Sequence, residues 1–329
     1  MNKEIILSVG IPSYNISDYV IKCLESFSEV SQDFYCKFEL IFVNDGSKDD
    51  TVQVIEEFLS KSYLNARIIT KENGGHGSAV NRGINEAIGK YYLSLDGDDW
   101  INPKDFEKLL INLSNEEAEV VFTNFTEQHV YNNTVINHRY NELYPTNQLT
   151  SFLELTTIMP MHSVIYKLEL LRKNNIRLTE GIYYVDNEYI LYPFIFAKNF
   201  VYYNLDIYQY LIGRAGQSMN TANLVKNNEH FIKLLASIFL FINKNKKQNN
   251  IFFRIVAREI SDRYIQTSYL YSPHSISELL AVYRKFGLVP AHYVSKVSKI
   301  ILLNFKTHFI FDFICRSYLK CKIKNRLKI

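Results

Sequence analysis

The stretch LSLDGDDW, Leu93 to Trp100, decides how this 329-residue chain is read: an apolar run ends abruptly in three carboxylates, Asp96, Asp98 and Asp99, set around Gly97. Carboxylates this close repel one another by roughly 1 kcal/mol per pair in water, and by more where solvent is excluded. An oxygen-seeking dication, Mg²⁺ or Mn²⁺, relieves that repulsion. Because Mg²⁺ is usually held by one or two carboxylates together with substrate phosphates, the pattern points to a metal clamped on a nucleotide diphosphate. Gly97 is expected to leave room for a bulky ligand to approach the backbone. The competing reading is an acidic strand-to-helix loop in which Asp99 caps the helix after Pro103.

Upstream of this stretch, one unit recurs. Ile5 to Ile11 is an apolar, β-rich run broken by Pro12-Ser13-Tyr14-Asn15, and Ile16 to Val30 has helical spacing through Ile16, Val20, Leu24 and Phe27. Phe38 to Val43 is apolar again, Asn44-Asp45-Gly46-Ser47 is a turn, and Thr51 to Leu64 reads as a helix. A third strand at Arg67 to Thr70 leads into the glycine-rich loop Glu72 to Ser78, a helix near Ala79 to Ile88, and the strand Tyr91 to Leu95 that delivers the aspartates. Strands alternating with helices predict a parallel sheet, which binds ligands beyond the carboxyl ends of its strands. A dinucleotide-binding fingerprint is excluded by spacing, because Gly75-His76-Gly77 follows the third strand and lacks the third glycine. No GK[ST] step is present, which excludes a Walker phosphate loop.

In their order and spacing, IPSYN, VNDGSKDDT, NGGHGSAVNRGI and LDGDDW, over residues 8 to 100, resemble the nucleotide-sugar domain of family 2 glycosyltransferases. The resemblance implies an α/β GT-A fold, Rossmann-like, with a mostly parallel central sheet flanked by helices. It also implies inverting transfer of a sugar from a nucleotide-diphosphate donor, usually a UDP-sugar, to an acceptor hydroxyl, assisted by Mn²⁺ or Mg²⁺ at the DXD-type carboxylates. Carried over by position, Pro12 and Tyr14 border the nucleotide, and Asp45 receives the base or ribose. Gly74, Gly75, His76 and Gly77 pass close to the donor with Asn81 on the helix behind them, and Asp96, Gly97 and Asp98 meet the diphosphate. Asp98, with Asp96 or Asp99 in support, holds the metal. The family often reads Ala-Arg-Asn where this chain has Ala79-Val80-Asn81, so the usual arginine is replaced by Val80. Asp45-Gly46 taken alone is an ordinary turn dipeptide.

Later segments extend the resemblance. Glu119 to Phe125 is expected as a strand and Thr126 to Asn147 as a surface excursion or β-hairpin. His162, before a helix at Leu168 to Asn174, lies where the family lines the sugar pocket; its alternative is a structural histidine among apolar neighbours. Thr179 to Glu188 resembles the EGI..ED..F signature, and Asp186 matches the carboxylate that takes the proton from the attacking hydroxyl, with Glu188 as a second candidate. Read without the family, Asp186 is a helix N-cap. Gly213 to Met219 resembles an Arg-x-Gly-x-Ser loop in which Arg214 and Ser218 bind the donor diphosphate.

Composition bounds the rest. The chain is expected to divide into a catalytic domain at 1–220 (nucleotide-sugar half 1–100, acceptor half 101–220) and a helical C-terminal region at 221–329. Cys23, Cys36, Cys315 and Cys321 have no CxxC spacing, so neither a zinc site nor a disulfide scaffold is expected. Residues 296–329 carry nine Lys or Arg against Asp312, a balance of +8, so with +3 for the whole chain the remainder carries −5. Two readings of this basic, aromatic tail stand open: an interfacial helix on anionic lipid, or a helix packed on its own domain. No window is long and apolar enough to span a bilayer, and no nucleic-acid module is present. The expected setting is cytoplasmic or peripheral at the inner membrane face, the acceptor a glycan, lipid-linked glycan or protein hydroxyl. Homo-oligomerisation is left open. The reading from another class is a non-catalytic partner subunit that keeps the fold.

Overall fold

The computed structural model describes residues 5–214, 226–247, 250–271, 276–289 and 292–306. It divides into two compact units: Met1–Gly181 with Glu188–Arg214, and Ile182–Asn187 with Ala215–Ile329.

The first unit is built on one ten-stranded sheet. Strands β1 (Leu7–Ser13) and β2 (Phe38–Asn44) are buried along their whole length and mostly apolar, as strands covered on both faces are. With β3 (Ala66–Thr70) and β4 (Tyr91–Ser94) they form the parallel series β3-β2-β1-β4. Strand β9 (Val164–Lys167) then pairs antiparallel with both β4 and β6 (Val120–His129). Two reversals restore the original direction, so β6 and its parallel partner β10 (Asn199–Ile212) point the same way as β4. The carboxyl ends of β1, β2, β3, β4, β6 and β10 therefore share one edge. Short strands complete the sheet: β5 (Trp100–Ile101) and β8 (Leu149–Ser151) pair with β10, and β7 (Thr134–His138) forms a hairpin with β6. The expected excursion after Phe125 is this hairpin.

Helices α1 (Val20–Ser28), α2 (Thr51–Leu59), α3 (His76–Glu86), α4 (Pro103–Leu113), α5 (Leu168–Lys173) and α6 (Asp186–Phe194) alternate with the strands, and the division between units falls inside α6. Helix α1 buries Val20, Cys23, Leu24 and Phe27, and Phe27 meets Phe38 and Phe106 at ring separations of 5.9 and 5.5 Å. It starts four residues later than its apolar spacing predicts. The Ile16 and Ser17 N–H groups donate instead to Thr51 Oγ1 at 2.8 Å and Asp49 Oδ2 at 3.0 Å, so a neighbouring loop satisfies them and no earlier turn is needed. Helix α4 is capped by Asn102, whose side chain accepts from the Asp105 N–H at 3.3 Å, with Pro103 at the first position. The cap role considered for Asp99 thus belongs to Asn102.

The second unit is helical, with α7 (Asn228–Lys244), α8 (Ile251–Tyr271), α9 (Ile276–Lys285) and α10 (Lys296–Lys306). Helix α7 buries Phe231, Leu234, Leu235, Ile238, Phe239 and Ile242, one stripe at helical spacing. Phe239 gathers Phe253 and Tyr283 at 5.7 and 5.1 Å. No helix among the described residues is long and apolar enough to cross a membrane. Of the basic tail only Lys296–Lys306 is described, and residues 307–329, like Ser218, lie outside the described residues.

Candidate functional site

At the shared strand edge the aspartate stretch bends back on itself, the Asp99 N–H donating to the Asp96 carbonyl at 2.9 Å. This tight turn sends its side chains in different directions. Asp99 is fully buried: Tyr208 Oη donates to its Oδ2 at 2.6 Å and the Leu211 N–H to its Oδ1 at 2.8 Å. Burial, followed by the charges of Asp98 and Asp96, pushes its carboxyl well above the usual range. Asp99 was expected among the metal carboxylates. Its oxygens are instead committed to β10, and they bind the aspartate turn to that strand. Tyr208 is one residue that sequence reasoning gave no role here, and its hydroxyl also accepts from the Asp96 N–H at 3.0 Å.

Asp98 turns outward, 12 % exposed, and forms an ion pair with Arg214, whose Nε donates to Oδ2. The guanidinium also lies 5.3 Å from the Tyr19 ring. Asp96 is part-exposed, and its Oδ1 lies 3.8 Å from Nδ1 of His76, the first residue of α3. Among the described residues no group of three or more His, Cys, Asp or Glu is placed to hold a metal. What the edge offers is two part-exposed carboxylates and a guanidinium.

Gly97 does not leave the space expected beside it. A Cβ there would come within 2.4 Å of Ile16 Cδ1 and 3.1 Å of the Pro12 carbonyl oxygen, so the space beside the glycine is filled by the Ile16 side chain and the end of β1. Pro12 lies in buried β1, while Tyr14 beyond it is 45 % exposed at the same edge.

Asp45 also departs from expectation. Nearly all of it is buried, and its carboxylate accepts from Lys71 Nζ at 2.6 Å and from the N–H groups of Gly74 and Gly75 at 2.9 and 2.7 Å. The structure thus gives Asp45 the task of shaping the glycine loop, and Lys71, which the sequence did not single out, completes that arrangement. The loop is fixed on its other side by the segment before α6. The Gly181 N–H donates to the Gly74 carbonyl at 2.7 Å, and Asn81, expected near the donor, is buried and bonded to the Leu178 N–H and carbonyl at 2.8 and 2.9 Å. Gly77 lies beneath this crossing, and a Cβ on it would sit 2.3 Å from the Thr179 carbonyl oxygen. Backbone cannot yield there as a side-chain tip can. Gly77→Ala is therefore expected to cost about 1–3 kcal/mol and lower the melting temperature by several degrees; an unchanged melting curve would contradict the crossing described.

His162 is packed between rings, stacked on Tyr210 at 4.2 Å and 5.3 Å from Phe125. Burial, and then His138, push its pKa down to about 3, so the ring is neutral near pH 7. This is the packing role left open for it. Glu188 is fully buried, accepting from the Thr179 N–H at 2.6 Å, Thr179 Oγ1 at 2.7 Å and Tyr192 Oη at 2.9 Å, which removes it as a second candidate for the base. Asp186, in the second unit, is the first residue of α6 and is part-exposed.

Comparison with known proteins gives the family and the fold. Residues 8–174 match the family model described as Glycosyl transferase family 2. Glycosyltransferase GlyA of Streptococcus pneumoniae is 28 % identical over 235 residues, 64 % of this chain and 31 % of GlyA. The poly(ribitol-phosphate) beta-N-acetylglucosaminyltransferase TarS of Staphylococcus aureus is 26 % identical over 233 residues, 70 % of this chain and 40 % of TarS. The chain thus spans well under half the length of either relative. In three dimensions it resembles the crystal structure of TarS 1–349 in complex with UDP-GlcNAc, with TM-score 0.68 at 18 % identity, over 97 % of this chain and 92 % of that one. The mannosyltransferase PcManGT of Pyrobaculum calidifontis, in complex with GDP-Man and Mn²⁺, aligns with TM-score 0.52 at 14 % identity, over 98 % of this chain and 88 % of its own.

Proposed function

Because the chain belongs to glycosyl transferase family 2, we propose that it moves a hexosyl or N-acetylhexosaminyl group, with inversion, from a nucleotide-diphosphate sugar, UDP in first place, to a hydroxyl of a growing glycan or glycoconjugate. The observation that carries this reading is the Asp98–Arg214 pair at the carboxyl edge of a parallel sheet. A carboxylate that takes a cation, beside a guanidinium that takes phosphate, is the charge pattern a metal-bound diphosphate needs.

The residues present fit a divalent ion. Asp98 already carries a positive group, and Asp98 with Asp96 supplies the one or two carboxylates with which Mg²⁺ or Mn²⁺ is held when phosphates complete its shell. When bound, the ion supplies positive charge against the diphosphate as it departs. Arg214 supplies a forked donor to the same phosphates, and Asp99 keeps the turn in place through Tyr208 and Leu211. Asp186 is assigned the base that takes the acceptor proton, supported by its place in the Thr179–Glu188 signature and by the burial of Glu188.

The test is donor hydrolysis by the full chain across a panel of UDP-, GDP- and dTDP-sugars with and without Mn²⁺, alongside calorimetry with UDP. Metal-dependent turnover of one donor is expected. No nucleotide affinity under any condition would replace this reading with that of a non-catalytic partner subunit.

Arg214 and the ion meet the same carboxylate, so they compete for it when nucleotide is absent. Arg214→Gln is expected to tighten Mn²⁺ binding to the nucleotide-free protein about fivefold, from loss of about 1 kcal/mol of ion pairing, and to weaken UDP–Mn²⁺ binding about tenfold or more, from loss of a charge-assisted phosphate contact. Titration calorimetry checks both signs. A parallel change in both affinities would remove the competition.

A further inference from the structure

The six residues before Glu188 belong to the helical unit, and there they pack on the first turn of α7. The Tyr183 and His230 rings stack at 5.4 Å with 19° between their planes, and the Tyr184 and Phe231 rings at 4.2 Å and 3°. Phe231 is buried in the helical core, which anchors the double stack, whereas Tyr183 remains 46 % exposed. The Tyr183 and Tyr184 rings lie 6.1 Å apart at 50°, so the two stacks are tilted to one another and the exposed ring is that of Tyr183, three residues from Asp186.

Its polar groups are fixed too. The Tyr183 N–H donates to His230 Nδ1 at 3.1 Å, so the neutral imidazole carries its proton on Nε2 and presents that N–H as a donor. Burial, followed by the charge of Lys233, lowers the His230 pKa and favours this neutral form. Tyr184 adopts a left-handed backbone with φ 69°, an uncommon conformation for an aromatic residue. Its hydroxyl is buried without a hydrogen-bond partner among the described residues. Burial pushes that phenol up to about 12, with Arg263 opposing and Tyr183 and Asp186 adding to the rise. Backbone strain and an unsatisfied hydroxyl are both disfavoured unless the surroundings enforce them, and such features gather where ligands bind.

An exposed aromatic ring, an imidazole stacked on it with its N–H at Nε2, and a carboxylate three residues further along match the chemistry of a pyranose ring, which has an axial C–H face and a rim of hydroxyls. We propose that Tyr183 and His230 form a carbohydrate platform beside Asp186, on which a pyranose of the acceptor glycan stacks against Tyr183. The proposal rests on the reading of Asp186 as the acceptor-side base, and it names a sugar as the chemical class of that acceptor.

The full chain is titrated, without donor or metal, with cellotriose, chitotriose and maltotriose at millimolar concentrations while the His230 ring protons are followed by NMR, assigned by their absence in His230→Gln. A saturable shift with at least one trisaccharide is expected, weakened about fivefold to tenfold in Tyr183→Ala, consistent with the worth of one aromatic contact. Tyr183→Phe, which keeps the ring, is expected to bind like the natural protein, and Tyr183→Ala to remain folded, as a melting curve checks. No shift with any of the three sugars, or equal binding by Tyr183→Ala, overturns the platform. Asp186→Asn separates the two readings. Binding retained with transfer lost supports both, whereas transfer retained in that variant removes the base and leaves the sugar titration to decide the platform alone.

Discussion

Asp98→Asn is expected to lower sugar transfer at least about a hundredfold, a loss of about 2.7 kcal/mol of transition-state stabilisation, while the protein still folds. The substitution keeps the shape of the side chain and removes only its charge. Asp98 accepts from Arg214 at the sheet edge, and its side chain is 12 % exposed, so the fold does not depend on it as it depends on buried Asp99. Without the charge, Arg214 has lost this ion pair and the edge has lost one of its two part-exposed carboxylates. Metal-dependent UDP affinity is expected to fall in parallel with the rate. Initial transfer rates, UDP calorimetry with Mn²⁺ and a melting curve on the same preparation measure the three quantities. Transfer within threefold of the natural protein would show that the diphosphate is handled elsewhere.

Asp186→Asn is the second large effect: a loss of about 10²- to 10⁴-fold in transfer, the usual worth of a positioned proton acceptor, with UDP affinity unchanged within about twofold. Asparagine starts a helix as well as aspartate does, so α6 and the Asn187 bond to the Tyr184 carbonyl at 2.9 Å should persist. The pH profile gives a second readout. A carboxylate base must be ionised, so activity of the natural protein should fall as pH drops through its titration, and that acid limb should be missing from the residual activity of the variant. Equal rates, or an unchanged acid limb, would assign the proton to another group. Neighbouring Glu188 does not compete for the role, since its two oxygens are occupied by Thr179 and Tyr192.

The fold was largely legible because its signals are local. The apolar runs Ile5–Ile11, Phe38–Val43 and Tyr91–Leu95 became strands at Leu7–Ser13, Phe38–Asn44 and Tyr91–Ser94, and the helical spacing between the first two became α1, which buries Val20, Leu24 and Phe27. Residues 126–147, expected as a surface excursion or β-hairpin, begin with a hairpin. Spacing misjudged the start of α1, because the groups that satisfy Ile16 and Ser17 lie at Thr51 and Asp49, more than thirty residues away.

What the sequence determined by itself is the succession of strands and breaks, and hence a sheet edge crowded with Tyr14, the glycine loop, Asp96 and Asp98; side-chain periodicity and turn residues act over a few positions and need no distant partner. What only the tertiary structure decided is how each polar group at that edge is used. Asp98 and Asp99 are adjacent and chemically identical, yet one meets Arg214 in part-exposed surroundings and the other is sealed beneath Tyr208, 109 residues further along the chain. The same holds for Asp45 bound to the glycine loop, Gly97 pressed on Ile16, and His162 neutral among rings. A carboxylate's role depends on its desolvation and on who donates to it, and both are set by residues that the chain brings together only when it folds.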